Sequence, residues 1–401
     1  MRFPIAVLAC SFFAATLAQP LAAQIIQRLD GSTITAAEAN VFARKTLAAA
    51  HVTGAEIAVL NHGHLVWSAG FGLRRVDPVL PMTPDTNIWA ASITKSVFST
   101  YVMKLVQEGK FNLDTPVAQQ LAKPLDEYEP YRETGTELVK DPRWPTITPR
   151  MLLAHTSGLA NFAFLEPDKK MHLHFKPGTN FKYSGEGINL VQFVIEQKLG
   201  EPLELLMRKA LFDPLSMANT ALVYQQKFAA NVADRYDLDG KFLSQTRRDH
   251  ARAAGSMATS ANDLARFLEA IFANHIVDAQ TRAEMFHSYF RIHSLHQFGP
   301  DMQPRGKEAD RVSLAYGVGW GLLTHTRYGP AFFKEGHGDG AQNYLICFER
   351  SQSCMIVLTN SDNGEITFRP LFEKILGDTV TPWEWEGYTP SYIEQAHKNG
   401  W

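Results

Sequence analysis

The sequence predicts an α+β protein: an antiparallel sheet covered by helices on both faces, with an all-helical domain inserted into it. Three observations carry this. Strand-like runs are confined to two clusters far apart in the chain, residues 56–69 and 313–358. Between roughly 115 and 290 the apolar spacing is helical instead. The hairpin written by residues 344–358 is apolar on both faces, so it belongs to a sheet with cover on each side. Strand clusters flanking a helical block describe one sheet domain with an insertion, and a functional site then lies between the two parts.

Taken in order, the chain opens with Arg2 and an apolar, small-residue run that leaves through Leu21, Ala22 and Ala23, the pattern of a secretory signal over residues 1–23 cleaved before Gln24. That run is too short to remain as a membrane span. The string VLAC at 7–10 also spells a lipoprotein box, but the apolar core before Cys10 is very short, and an ordinary cysteine of the signal is the simpler reading. Thr35 and Glu38 form a capping box that starts a helix running to about Ala50. Strands follow at 56–60 and 64–69 around the turn Asn61-His62-Gly63. Thr148 with Pro149 starts a helix, and another runs from Asn189 to Leu199 with Gly200 past its end. Strands resume at 313–326 and 328–335 and in the 344–358 hairpin, and a last helix spans about 367–376. The sheet domain is therefore assigned to 24–110 and 300–380, the helical domain to 111–299 and a C-terminal tail to 381–401. Residues 124–146 and 287–312, rich in Pro, Gly and charge, read as surface loops, either walls of a site or solvated insertions.

A net charge of −2 gives no reason to expect nucleic acid, and 45% hydrophobic residues are ample for buried cores. Cleavage of the signal leaves two cysteines, Cys347 and Cys354, in a compartment where thiols pair. With Arg350-Ser351 as a two-residue turn they stand opposite each other, Leu345, Cys347, Cys354, Ile356 and Leu358 forming one face and Tyr344, Ile346, Phe348, Met355 and Val357 the other. Two buried free thiols are the alternative.

Ser92 and Lys95 carry the chemistry. They open a helix whose buried stripe is Val97, Phe98, Tyr101, Val102, Leu105 and Val106, with Gly109 as its stop. Residues three apart share a helix face, so the amine reaches the hydroxyl. A desolvated lysine is neutral and takes the serine proton, turning a weak nucleophile into a usable one.

Further motifs follow in a fixed order: ASITKS at 91–96, MLLAHTSGL at 151–159, PGTNFKYSG at 177–185, LFDPLSM at 211–217, AGSMATS at 254–260, YGVGW at 316–320 and GHGDG at 336–340. Over roughly residues 35–376 the chain resembles the serine β-lactamase and DD-peptidase superfamily, in the branch that holds class C β-lactamases, D-peptidases and related esterases. The resemblance implies a β-lactamase/transpeptidase-like fold and an acyl-serine intermediate on Ser92 with no metal or organic cofactor. It places Tyr183 beside the serine, activating it and protonating the leaving group. It gives half of the oxyanion hole to the N–H of Gly340, three residues after His337, and the other half to the N–H of Ser92.

Two departures from the family pattern bear on the substrate. Gly185 stands where β-lactamases and DD-peptidases tend to have asparagine, so a hydrogen bond to a substrate amide is either lost or supplied by Asn180 or Asn189. His337-Gly338-Asp339 stands where Lys-Thr-Gly is usual, and a histidine is cationic only in part near neutral pH. Asp339 either pairs with His337 or sits in a bulge. Both departures weaken recognition of amides and carboxylates and favour esters. The expected substrates are small-molecule esters, with β-lactams or D-amino-acid peptides as the rival and a non-catalytic binding protein as the rival of another kind. The expected location is the periplasm or outside the cell. His155 anchors structure; Phe162, Phe164 and Phe175 are either core or an acyl pocket; the pairs His62/His64 and His172/His174 lack a third ligand and are read as solvated.

Overall fold

The computed structural model describes residues 24–299 and 303–390. Residues 1–23, read from the sequence as a secretory signal and containing Cys10, lie outside the described residues. Nine strands form one antiparallel sheet: β1 (Gly54–Asn61), β2 (His64–Arg75), β3 (Leu80–Pro81), β4 (Phe290–Arg291), β5 (Leu314–Tyr316), β6 (Gly321–Leu323), β7 (Ala331–Gly338), β8 (Ala341–Phe348) and β9 (Ser353–Thr359). Their spatial order is β4-β5-β6-β7-β8-β9-β1-β2-β3, so the C-terminal cluster pairs with the N-terminal one through β9 and β1. Antiparallel pairing of β9 with β1 joins strands separated by the whole helical insertion.

Helix α1 (Ala36–Ala49) starts on the expected capping box: Thr35 Oγ1 accepts from the Glu38 N–H at 3.1 Å and Glu38 accepts from the Thr35 N–H at 2.9 Å. It lies on one face of the sheet with the C-terminal helical turns, over a core that includes Ile57, Val59, Tyr344, Ile346, Met355 and Phe372. Helix α2 (Ile93–Gln107) and helix α4 (Ala261–Phe272) cover the other face, over Ala58, Leu345, Cys347, Ile356 and Leu358. The two faces of the cysteine hairpin therefore divide between two cores as its alternation predicts. Helix α3 (Gly185–Leu199) belongs to the inserted part, begins four residues earlier than its sequence signal and ends on Gly200 in the left-handed region at φ 68°.

Cys347 and Cys354 are register partners, with Cα atoms 4.1 Å apart, and are joined as a disulfide. Closing so short a loop contributes about 2 kcal/mol. Reduction is therefore expected to lower the melting temperature by several degrees without unfolding the protein, read by calorimetry with and without reductant. A reduced protein that melts with the oxidised one would show that the bond carries no stability.

Three boundaries differ from the sequence reading. The segment assigned to a helical domain, 111–299, also contains small paired strands, Asp234–Tyr236 with Phe242–Gln245, contributes β4 to the sheet, and sends α4 onto the sheet face. The stretch 124–146 is not a loose loop: short helical turns seat Leu125, Tyr131, Leu138 and Trp144 in the core. Turns of three to five residues are too short to show a helical period. The described part of the tail, 381–390, is packed structure: Trp383 and Tyr388 are buried against Tyr344, Phe368 and Phe372, and Trp385 against Phe181 and Phe333. No helix among the described residues is long and apolar enough to cross a membrane.

Candidate active site

Ala91 sits in the left-handed region at φ 45°, and this turn presents Ser92 at the N-terminus of α2. Lys95 Nζ lies 2.8 Å from Ser92 Oγ and 2.5 Å from the Ala254 carbonyl. The lysine is 1% exposed. Burial, with the positive Lys334 adding to it, holds its amine well below the ordinary lysine range against a smaller opposing pull from Glu335. A neutral amine beside the hydroxyl is the base a serine nucleophile needs.

Tyr183 packs over the pair. Its ring centroid is 5.0 Å from Lys95 Nζ and 4.8 Å from Lys334 Nζ, and Lys334 donates to its hydroxyl at 3.0 Å. Burial, then the negative Glu335, pushes the phenol well above its usual range, while the hydrogen bond with Ser92 pulls the other way. The phenol is thus a proton donor fed by a lysine. Lys334 is fully buried, forms an ion pair with Glu335, and was missed by the sequence reading although the triplet Lys334-Glu335-Gly336 stands directly before His337. Gly336 has a packing reason: a Cβ there would lie 2.3 Å from the Ala90 carbonyl, so only glycine lets β7 approach the start of α2 this closely.

Gly340 does not stand where an oxyanion donor is expected. The Gly340 N–H points away from the serine, since it donates to the Asp362 carboxylate in the Asp339-Gly340 turn, and Gly340 does not line the cavity. Gln342 donates its N–H to Thr359 on β9 at 3.3 Å, which makes His337↔Gln342 a pair that is not hydrogen-bonded within the β7–β8 ladder. The His337 N–H consequently faces the open edge of β7, which β6 covers only as far as Phe333. His337 is the residue three after Lys334. Its ring, 58% exposed, is hydrogen-bonded through Nδ1 to Glu365. Partial desolvation against the surrounding protein opposes the charged form, but Glu365, with Asp362 and Asp339, outweighs it and lifts the imidazole to about 9, which favours the cation at neutral pH. Asp339 does not pair with the ring; it occupies the turn, and its carbonyl accepts from Arg235.

Neither asparagine named from the sequence faces the cavity. Asn189 accepts from the Ala254 N–H at 3.1 Å and so holds the carbonyl that receives Lys95. Asn180 accepts from the Phe181 N–H at 2.9 Å and lines a separate depression of about 280 Å³. Asn161 is the one that lines the site, with its Oδ1 accepting from the Gly185 N–H at 2.9 Å. A Cβ at Gly185 would lie 2.6 Å from the Phe162 ring, so Phe162 occupies the space an asparagine side chain would need. Asn161 sits two residues beyond the end of the matched MLLAHTSGL string, and no local pattern marks it.

These groups open into a cavity of about 660 Å³. One wall is apolar: Trp89, Phe162, Phe298 and the C-terminal residues Trp385 and Tyr388. Phe162 is stacked on the exposed Phe164 at 5.2 Å, whereas Phe175 packs on Gly158 outside the cavity. Phe298 places the 287–312 segment at the rim. The lining also carries Arg247, Arg248 and Arg252. His155 is fully buried; it accepts from the Ser184 N–H at 3.2 Å and stacks on Tyr183 at 4.4 Å, and burial with the two lysine charges holds it neutral. His172 and His174 pair with Asp168 and Glu166, and His62 with Gln27. Among the described residues no cluster of His, Cys, Asp and Glu has the makings of a metal site.

Comparison with known proteins identifies the family and the fold. The Beta-lactamase family model matches residues 24–375. Protein flp of Staphylococcus aureus is 26% identical over 205 residues, 47% of this chain and 39% of that protein. Esterase EstB of Burkholderia gladioli is 27% identical over 221 residues, 49% of this chain and 53% of that protein. The chain thus spans about half or less of these curated relatives. Among solved structures, a penicillin-binding protein homologue from Pyrococcus abyssi superposes with a TM-score of 0.69 at 23% identity, covering 88% of this chain and 79% of that one. A β-lactamase/D-alanine carboxypeptidase from Pseudomonas syringae gives 0.66 at 17% identity, over 85% and 98% of the two chains. A D-amino acid amidase from Ochrobactrum anthropi gives 0.61 at 22%, over 90% and 99%. With the family match extending over most of its length, the chain belongs to the β-lactamase family, whose members are serine hydrolases.

Proposed function

We propose that the protein is a periplasmic or secreted hydrolase of carboxylic esters that works through an acyl-enzyme on Ser92. The observation that carries the acyl-enzyme is the neutral, buried Lys95 2.8 Å from the serine hydroxyl. Lys95 takes the proton as Oγ attacks the carbonyl carbon, and the N–H groups of Ser92 and His337 hold the resulting oxyanion. Tyr183 protonates the departing alkoxide and is resupplied through Lys334. Water then attacks the acyl carbon and passes its proton through Tyr183 to the deprotonated Lys334, while protonated Lys95 returns its proton to Ser92 Oγ as the acyl–oxygen bond breaks, so the acid leaves with the serine and both lysines restored.

Preference for esters rests on the apolar Phe162 ring beside Gly185, where a side-chain amide would otherwise meet the substrate, and on the name of the esterase relative. Amides form the second reading, favoured by two groups the sequence reading did not use: Lys334, able to drive protonation of an amine, and Asn161, with an amide in the cavity. The discriminating measurement is kcat/KM for p-nitrophenyl butyrate against nitrocefin, D-phenylalanine amide and a D-Ala-D-Ala peptide, with background hydrolysis subtracted. Esters are expected to lead by at least about a hundredfold, or about 2.7 kcal/mol of transition-state stabilisation. Faster cleavage of any amide substrate would give the site to that chemistry.

A further inference from the structure

Arg247, Arg248 and Arg252 line the cavity and form no ion pair among the described residues. Arg248 lies over the Trp89 ring at 4.6 Å and makes no ion pair or side-chain hydrogen bond among the described residues. Arg247 donates to the neutral Gln245 at 2.8 Å and lies over Tyr224. Arg252 donates to His250 at 3.0 Å. The nearby carboxylates have their closest partners elsewhere: Asp249 in His250, Glu186 in the Ala163 N–H, Glu365 in His337, Glu335 in Lys334 and Glu386 in the Tyr344 hydroxyl, with Asp249 acting on Arg248 and Glu186 on Arg252 only at longer range. Burial, and then the neighbouring Arg252 charge, depresses the Arg248 guanidinium against a smaller opposing pull from Asp249. A chain with a net charge of −2 therefore brings three guanidinium groups that lack a salt-bridge partner to the lining of its catalytic cavity. Planar guanidinium forks suit a carboxylate.

The side of the substrate follows from Tyr183. A leaving group must reach the phenol that protonates it, among Lys334, His155 and Phe298. Arg248 instead stacks on Trp89, whose indole N–H donates to the Gly255 carbonyl and whose ring lies against Gly338. Resting on the ester reading above, we propose that Arg247, Arg248 and Arg252 form a subsite for a carboxylate on the acyl portion of the substrate, so that half-esters of dicarboxylic acids are preferred over neutral esters of the same length.

The test compares mono-p-nitrophenyl adipate with p-nitrophenyl hexanoate, and 4-butanoyloxybenzoate with phenyl butanoate, in the wild-type protein and in R248Q, R252Q and the double variant. The adipate half-ester is expected to exceed hexanoate by about tenfold or more in kcat/KM, chiefly through KM, with the ratio falling below about twofold in the double variant. The ratio compares two substrates on one protein, so a general loss of activity in a variant cancels. In wild-type protein the ratio should also fall severalfold between about 0.02 and 0.5 M NaCl, since partly exposed charges are screened. Equal rates for adipate and hexanoate, or a preference that survives both substitutions, overturns the subsite while leaving the esterase reading intact. A preference confined to the benzoate pair puts the anion on the leaving group and overturns the acyl assignment. Absence of any ester turnover together with absence of a Ser92 adduct overturns the ester reading and this inference with it.

Discussion

Ser92→Ala is expected to yield a folded protein that forms no covalent adduct with a fluorophosphonate and turns over no ester, a loss of about 10⁴-fold or more in kcat/KM. Removing one oxygen from a half-buried turn leaves α2 and its buried stripe in place, so melting should be unaffected within a degree or two. Lys95→Ala should match it in activity, because a serine with no adjacent base is barely nucleophilic at neutral pH. The two differ in stability. Lys95→Ala strips the Ala254 carbonyl of its donor and opens space beneath Tyr183, so it should also lower the melting temperature. Intact-mass labelling and thermal melts separate these effects, and full labelling of Ser92→Ala would place the nucleophile on another residue.

What the sequence exposed was whatever is decided within a few residues. The Thr35 capping box, the Thr148 cap that accepts from Met151 at 3.3 Å, the alternation of the cysteine hairpin and the Ser92–Lys95 pair are all local patterns. What it hid depends on how distant segments meet. Counting the strand motif from His337 rather than Lys334 displaced every assignment on β7 by three residues: it hid the second lysine and named Gly340, whose N–H belongs to Asp362. A strand alternates faces, so an odd displacement also exchanges the side that meets Tyr183 for the other. The strand's own residues do not decide this; the closeness of Gly336 to Ala90 and the turn at Asp339-Gly340 do. Asn161, the three arginines and the residues around Trp385 come from three separate segments that share the cavity without sharing a pattern. Asn189 was chosen for its amide near the third motif, but its partner is the Ala254 backbone, which makes it a positioning residue.

Lys334→Met should lower kcat/KM for an ester by about a thousandfold, the middle of the range that a lost proton donor to the leaving group costs. The methionine keeps the length and apolar stem but cannot donate to Tyr183, so protonation of the alkoxide falls to an unassisted phenol that burial already holds far from ionisation. The pH profile gives a second readout with a definite sign. Activity needs neutral Lys95, so the rate rises with pH through the pKa of that amine. The Lys334 charge is one of the influences that hold this pKa down, while Glu335 pushes it up. Removing Lys334 deletes the first and leaves the second unopposed, so the acid limb of kcat/KM should move to higher pH. Glu335, deprived of its ion-pair partner in a buried site, makes this variant less stable as well. Adding Glu335→Gln removes that stranded charge: the double variant should regain stability, and its acid limb should lie between those of the wild type and Lys334→Met. An acid limb that stays in place or moves to lower pH in Lys334→Met would show that Lys334 does not govern the protonation of Lys95, and would leave burial as the sole cause of its neutrality.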